Sequence, residues 1–121
     1  MPVRSLSSPV FKWPDRAQVH DALCTWVGAL VDQQPDVRMV GYIGSYARGD
    51  WGVGSDVDLI VVVDNDDTPF LDRTISLDFT EIPVPVDVLT YTASEWEKLI
   101  NRGGKFSETI KTEIVWIYSK V

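Results

Sequence analysis

Aspartates occupy positions 56 and 58 of this 121-residue chain, directly ahead of the apolar run Leu59-Ile60-Val61-Val62-Val63. In an extended strand alternate side chains share a face, so Asp56 and Asp58 point one way while Val57 and Leu59 point the other. Two carboxylates about 4 Å apart repel by about 4 kcal/mol at an effective dielectric near 20. A cation relieves that repulsion, and Mg2+ is the hard, oxygen-seeking ion that accompanies phosphates. Asp87, flanked by Val86 and Val88, is a third carboxylate in an apolar run, where an unpaired charge is costly. Brought beside the first pair, it completes a set able to clamp two Mg2+ ions roughly 4 Å apart, which suits phosphoryl or nucleotidyl transfer. Asp78, between Leu77 and Phe79, is the rival third ligand; Asp87 is favoured because its strand is better defined.

Upstream, Gly44 and Ser45 close an earlier apolar run and precede Tyr46-Ala47-Arg48-Gly49-Asp50. Glycine lets the backbone approach an anion closely, Ser45 adds a hydroxyl, and a short helical turn starting there aims its N-terminus at the same spot. The expectation is a seat for a triphosphate, with Arg48 in reach of a phosphate or of a partner's carboxylate.

The elements that position these residues follow from pattern. Val19, Leu23, Trp26 and Leu30 recur at helical spacing, Asp15 and Gln18 form a capping box, and Pro35 ends the run, so a helix of about five turns is expected. Residues 37–44 and 56–63 read as buried strands, apolar on both faces and therefore covered on both sides. Residues 83–92 read as a strand that begins at a sheet margin, because prolines punctuate its start. Thr92 and Glu95 cap a further helix that Gly103 and Gly104 end. A short helical turn from Ser107 then leads into a last strand over 113–120. Residues 1–14 read as an extended arm and 15–121 as one domain. The segment 64–83 is ambiguous, with a short helix near Pro69 to Ile75.

Competing features have plainer readings. His20 and Cys24 sit at i, i+4 but lack further ligands, so helix packing is favoured over metal binding. Trp51 reads as a loop anchor or partner contact before a base-stacking residue, and Trp13, Trp26, Trp96 and Trp116 as core or interface residues. The acidic stretch 64–67 lacks the glycine and distal glutamate of a calcium loop and reads as a solvated turn. A net charge of −7 with no basic block argues against stable binding of duplex nucleic acid. One cysteine excludes an internal disulfide. With no membrane-length apolar run and no signal-peptide core at the start, a cytoplasmic location is expected.

Together, Gly44-Ser45, ten intervening residues, Asp56-Val57-Asp58 and the later Asp87 resemble the signature of the DNA polymerase β-like nucleotidyltransferase superfamily. The likeness is greatest to its minimal nucleotidyltransferases, often encoded beside a HEPN protein as antitoxin and toxin, and it extends from about residue 18 to the end. It implies an α/β nucleotidyltransferase fold, a small mixed sheet of about four strands flanked by helices. It also implies that Asp56 and Asp58 bind both Mg2+ ions, that Asp87 completes the site and helps the attacking hydroxyl, and that Gly44 and Ser45 hold ATP or another nucleoside triphosphate. Arg48 matches the second arginine of the Gly-Ser-Arg-Ala-Arg-Gly form; Tyr46 departs from the first. Larger relatives carry a domain that presents the acceptor. Here 121 residues leave no room for one, so the acceptor is expected on a partner, a HEPN-type protein first, with a homodimer and an aminoglycoside-type small-molecule acceptor as the alternative. A further alternative is an antitoxin that acts by binding alone.

Overall fold

The computed structural model describes residues 13–64 and 78–120. In chain order the elements are α1 (Arg16–Gln33), β1 (Val37–Ile43), α2 (Ser45–Arg48), β2 (Val57–Val63), β3 (Val86–Thr92), α3 (Ala93–Arg102), α4 (Lys105–Glu113) and β4 (Val115–Ser119). The four strands form one mixed sheet in the order β3-β2-β1-β4. β1 pairs antiparallel with both β2 and β4, whereas β2 and β3 run parallel. This is the small mixed α/β sheet of four strands flanked by helices expected from the sequence.

β2 is central and apolar on both sides, and its alternation divides the interior. Val57, Leu59, Val61 and Val63 join the cluster built on α1 by Val19, Leu23, Val27 and Leu30. Ile60 and Val62 face the other way, against Ile43, Trp96 of α3 and Ile110 of α4. Asp56 and Asp58 continue the Ile60/Val62 parity, so the carboxylates lie on the α3/α4 side of the sheet.

Both expected capping boxes are present. Asp15 Oδ1 accepts the Gln18 N–H at 2.9 Å, and Thr92 Oγ1 accepts the Glu95 N–H at 3.1 Å. Three expectations need correction. Val27, not Trp26, completes the buried stripe of α1; Trp26 lies beside it, stacks on Phe79 at 4.9 Å and donates its indole N–H to the Asp78 carbonyl at 3.1 Å. The strand expected from residue 83 begins at Val86, because Pro83 and Pro85 have no N–H to give a ladder; the Pro85 carbonyl still accepts the Val57 N–H. The helix expected as a turn from Ser107 is nine residues long and takes in Glu113, so the strand expected over 113–120 runs only over Val115–Ser119. Gly103 and Gly104, with φ of +76° and +99°, reverse the chain so tightly that α4 starts at once at Lys105. Ser107 is buried in its first turn and donates to the Ile100 carbonyl at 3.1 Å.

At the end of the expected arm, Trp13 packs against the α1 cluster. The helix expected near Pro69 to Ile75, residues 1–12 and all of the acidic stretch but Asp64 lie outside the described residues. Asp64 pairs with Arg38 at 3.0 Å and Lys120 at 3.5 Å.

Gly41 marks the tightest strand contact. A Cβ there would lie 2.8 Å from the Trp116 ring and 2.9 Å from the Val115 carbonyl oxygen. Gly41→Ala is expected to destabilise the fold by about 1–3 kcal/mol, read as a lower thermal midpoint. An unchanged midpoint would show that β4 is not seated on β1 in this register.

Candidate active site

Asp58 and Asp87 are direct partners across the parallel β2/β3 pair, so strand register alone sets them side by side. Asp56 lies one residue ahead of β2, on the same face. One carboxylate oxygen from each of Asp56, Asp58 and Asp87 lies within 4.8 Å of the others, and this is the one such group of possible metal ligands among the described residues. Asp56 and Asp87 are exposed, while Asp58 is half-buried.

That burial, with Asp56, Asp87 and Glu113 around it, pushes the Asp58 carboxyl above its ordinary range; Arg48 offsets this only in part. Like charges this close repel, most strongly at the half-buried Asp58, where water screens them least. An all-oxygen, all-anionic donor set with that repulsion fits a hard divalent cation.

Asp78 is not part of the group. Its Oδ1 accepts the Thr80 N–H at 2.9 Å, and hydrogen bonding from Thr80 holds its carboxyl below the usual range. His20 and Cys24 likewise form no metal pair: His20 Nδ1 is bonded to the Tyr42 hydroxyl at 2.9 Å, and Cys24 is exposed.

The Gly44–Ser45 turn abuts the carboxylates from the end of β1. Gly44 has φ +99° and ψ −162°, a conformation essentially restricted to glycine. A Cβ on it would sit 3.1 Å from Asp58 Oδ2. Ser45 opens α2, whose far end is fixed by Gly49 in the left-handed region and by Arg16 Nη2, which donates to the Ala47 carbonyl at 3.0 Å.

Tyr46, which departs from the Gly-Ser-Arg-Ala-Arg-Gly form, is fully buried. Its hydroxyl donates to the Pro14 carbonyl at 2.8 Å and its ring stacks on Trp51 at 5.5 Å. Trp51 is thus a loop anchor, as the sequence suggests. Arg48 is half exposed and held by two carboxylates. Its Nε donates to Asp50 Oδ2 at 3.1 Å and its Nη1 to Glu113 Oε1 at 3.2 Å, contacts that raise the guanidinium pKa further.

Glu113 is the residue that sequence reasoning missed. It closes α4, its side chain is only 10% exposed, and its Oε2 accepts the Gly44 N–H at 2.6 Å. Gly44 therefore offers an anion close approach, its own N–H being directed at Glu113. Nothing local at Glu113 signals a contact 69 residues away in the chain.

A mixed sheet with three carboxylates converging beside a glycine-serine turn defines a class of enzyme that moves nucleotides. The chain belongs to the nucleotidyltransferase domain family, whose profile matches residues 23–117. Its fold is similar to that of a Sulfolobus solfataricus protein assigned as a nucleotidyltransferase, at a TM-score of 0.60 and 20% identity over 87% of this chain and 84% of that one. It is also similar to a chain in the structure of a toxin–antitoxin with AMP-PNP, at a TM-score of 0.52 and 15% identity over 80% of this chain and 73% of that one. A mutant form of the toxin–antitoxin MntA-HpeT matches at a TM-score of 0.52 and 15% identity, over 79% and 71% of the two chains. No curated protein sequence matches at a significant level. Among the described residues no helix is long and apolar enough to cross a membrane.

Proposed function

We propose that this nucleotidyltransferase moves a nucleoside monophosphate, AMP from ATP in the first instance, onto a hydroxyl of a partner protein, a HEPN-type toxin that the modification silences. The observation that carries the reading is the in-register placement of Asp58 beside Asp87, with Asp56 on the same face. Asp56, Asp58 and Asp87 are the residues that would hold two Mg2+ ions, with Gly44, Ser45 and Arg48 toward the triphosphate. The bound cations would neutralise phosphate charge and polarise the attacking and departing oxygens.

The chain's own residues supply the geometry. The absence of a side chain at Gly44 leaves room for the Asp58 carboxylate, since a Cβ there would sit 3.1 Å from Oδ2. Asp87 lies on β3, at the open edge of the sheet, where an incoming hydroxyl has access. In the reaction that hydroxyl oxygen bonds the α-phosphorus, the bond to pyrophosphate breaks, and the hydroxyl proton passes to a carboxylate on this edge. Similarity of fold to chains from toxin–antitoxin complexes, one of them with AMP-PNP, supports the choice of partner and nucleotide.

The test is transfer of label from α-labelled ATP with Mg2+ to proteins of a host lysate or to the product of the neighbouring gene. A labelled protein band is expected with the wild type and none with Asp56→Ala/Asp58→Ala. No band, with the partner bound equally by both forms, would leave neutralisation by binding alone as the account. Label on a small molecule instead would favour an aminoglycoside-type acceptor.

A further inference from the structure

We infer that Glu113 is a positioning residue that straps the Gly44–Arg48 turn from both ends and thereby sets the affinity for the nucleoside triphosphate without touching the metal. The inference rests on the reading of that turn as the triphosphate seat. Both oxygens of the carboxylate are engaged. Oε2 takes the Gly44 N–H at 2.6 Å, at the start of the turn, and Oε1 takes Arg48 Nη1 at 3.2 Å, at its end. Ser45, Tyr46 and Ala47 lie between these anchors, so one side chain ties the two ends of the turn.

The strap is rigid for physical reasons. Glu113 is nearly buried and ends α4, and α4 is held against the sheet by Ile110, which is 1% exposed. A charge-assisted hydrogen bond from a backbone amide is short and strong in such surroundings. The Gly44 carbonyl is held separately, accepting the Arg48 N–H at 3.0 Å, while Glu113 holds its N–H. Arg48 would otherwise be a long, half-exposed side chain free to sample many rotamers; Asp50 on its Nε and Glu113 on its Nη1 limit it to one. Glu113 is not among the three carboxylates whose oxygens converge; its charge reaches Asp58, but its hydrogen bonds go to the turn.

The alternative is that the carboxylate occupies the seat of a phosphate and competes with nucleotide for Gly44 and Arg48. The two ideas predict opposite signs. Binding of each of the four ribonucleoside triphosphates in excess Mg2+, and of Mn2+ alone by paramagnetic resonance, would be measured for wild type, Glu113→Gln, Glu113→Ala and Arg48→Met. The strap predicts triphosphate affinity roughly 10- to 100-fold weaker in Glu113→Ala and a much smaller fall in Mn2+ affinity, from the loss of one negative charge near Asp58. Glu113→Gln, which keeps an acceptor for the Gly44 N–H, should recover part of the loss, and Glu113→Ala combined with Arg48→Met should lose less than the two losses added.

Tighter triphosphate binding in Glu113→Ala or Glu113→Gln would overturn the strap in favour of competition. Unchanged triphosphate affinity, or Mn2+ affinity falling in parallel, would overturn it as well. Should Glu113→Ala not fold, Glu113→Gln and Arg48→Met decide the matter by the same signs. Wild-type protein that binds none of the four triphosphates would instead refute the reading of the seat itself, an outcome distinct from wild-type binding that the variants do not alter.

Discussion

Asp58→Asn is expected to abolish nucleotidyl transfer, by on the order of 1,000-fold or more, and at the same time to raise the thermal midpoint of the metal-free protein. The two effects share a cause. Burial and the Asp56, Asp87 and Glu113 carboxylates raise the Asp58 pKa in the folded chain, so a charge at this position opposes folding. A carboxyl whose folded value lies above its unfolded value takes up a proton on folding in the window between them. Metal-free stability therefore falls as pH rises through that window, and above the folded value the penalty is fully present. Asparagine keeps the shape, removes the charge and flattens this dependence, for a gain on the order of 1 kcal/mol. In excess Mg2+ the ranking should invert, because only the wild type gains the linkage free energy of ion binding. Melting curves in EDTA and in Mg2+, at several pH values from 4 to 8, check this. A variant less stable than wild type in EDTA at neutral pH would show that the three carboxylates are not mutually strained.

Gly44→Ala should damage the fold and the carboxylate cluster together. The φ of +99° with ψ −162° lies where side chains are essentially excluded, at a cost of about 1–3 kcal/mol, and the added carbon would press on Asp58 Oδ2 at 3.1 Å. The thermal midpoint should fall by about 5–10 °C, and Mn2+ affinity should drop because the displaced carboxylate is a member of the metal set. Gly28 supplies the control. It lies within α1 with nothing within 4 Å of a Cβ, so Gly28→Ala should stabilise by about 0.5–1 kcal/mol and leave Mn2+ binding unaltered. Full Mn2+ affinity in Gly44→Ala would mean that the turn relaxes away from Asp58 and that the close approach has no role in the site.

What could be read from sequence was what short-range chemistry writes. Asp15 with Gln18, and Thr92 with Glu95, mark helix starts because each pair bonds within three residues. The 56/58 spacing marks a shared face because strand parity is local. The partnership of Asp58 with Asp87 needed one further step, the assumption that two strands pair. Other features have no local signature. Tyr46 stands where an arginine would suggest phosphate contact, yet whether a tyrosine ring turns inward is decided by Trp51 and the Pro14 carbonyl. Trp26 and Val27 compete for the same helical stripe, and only the neighbouring Phe79 and Asp78 carbonyl decide which of them leaves it. Glu113 reads in sequence as the first residue of the last strand, whereas it ends α4. Its meaning comes from the antiparallel seating of β4 on β1, which carries the end of α4 to the Gly44 turn.

The parallel pairing of β2 and β3 makes the sheet a ruler. Neighbouring strands lie about 4.8 Å apart whatever their side chains, so the gap between the Asp58 and Asp87 backbones belongs to the hydrogen-bond ladder rather than to any rotamer. The same ladder permits only whole-residue errors. A slip of one position would turn Asp87 to the α1 side and bring Val86 or Val88 opposite Asp58, leaving a sheet with its bonds made and its ion site gone. If the three carboxylates hold the ion as proposed, divalent-ion affinity would be a digital report on strand alignment, and a misassembled population would show itself as a fraction of molecules that bind nothing rather than as a uniformly weaker site.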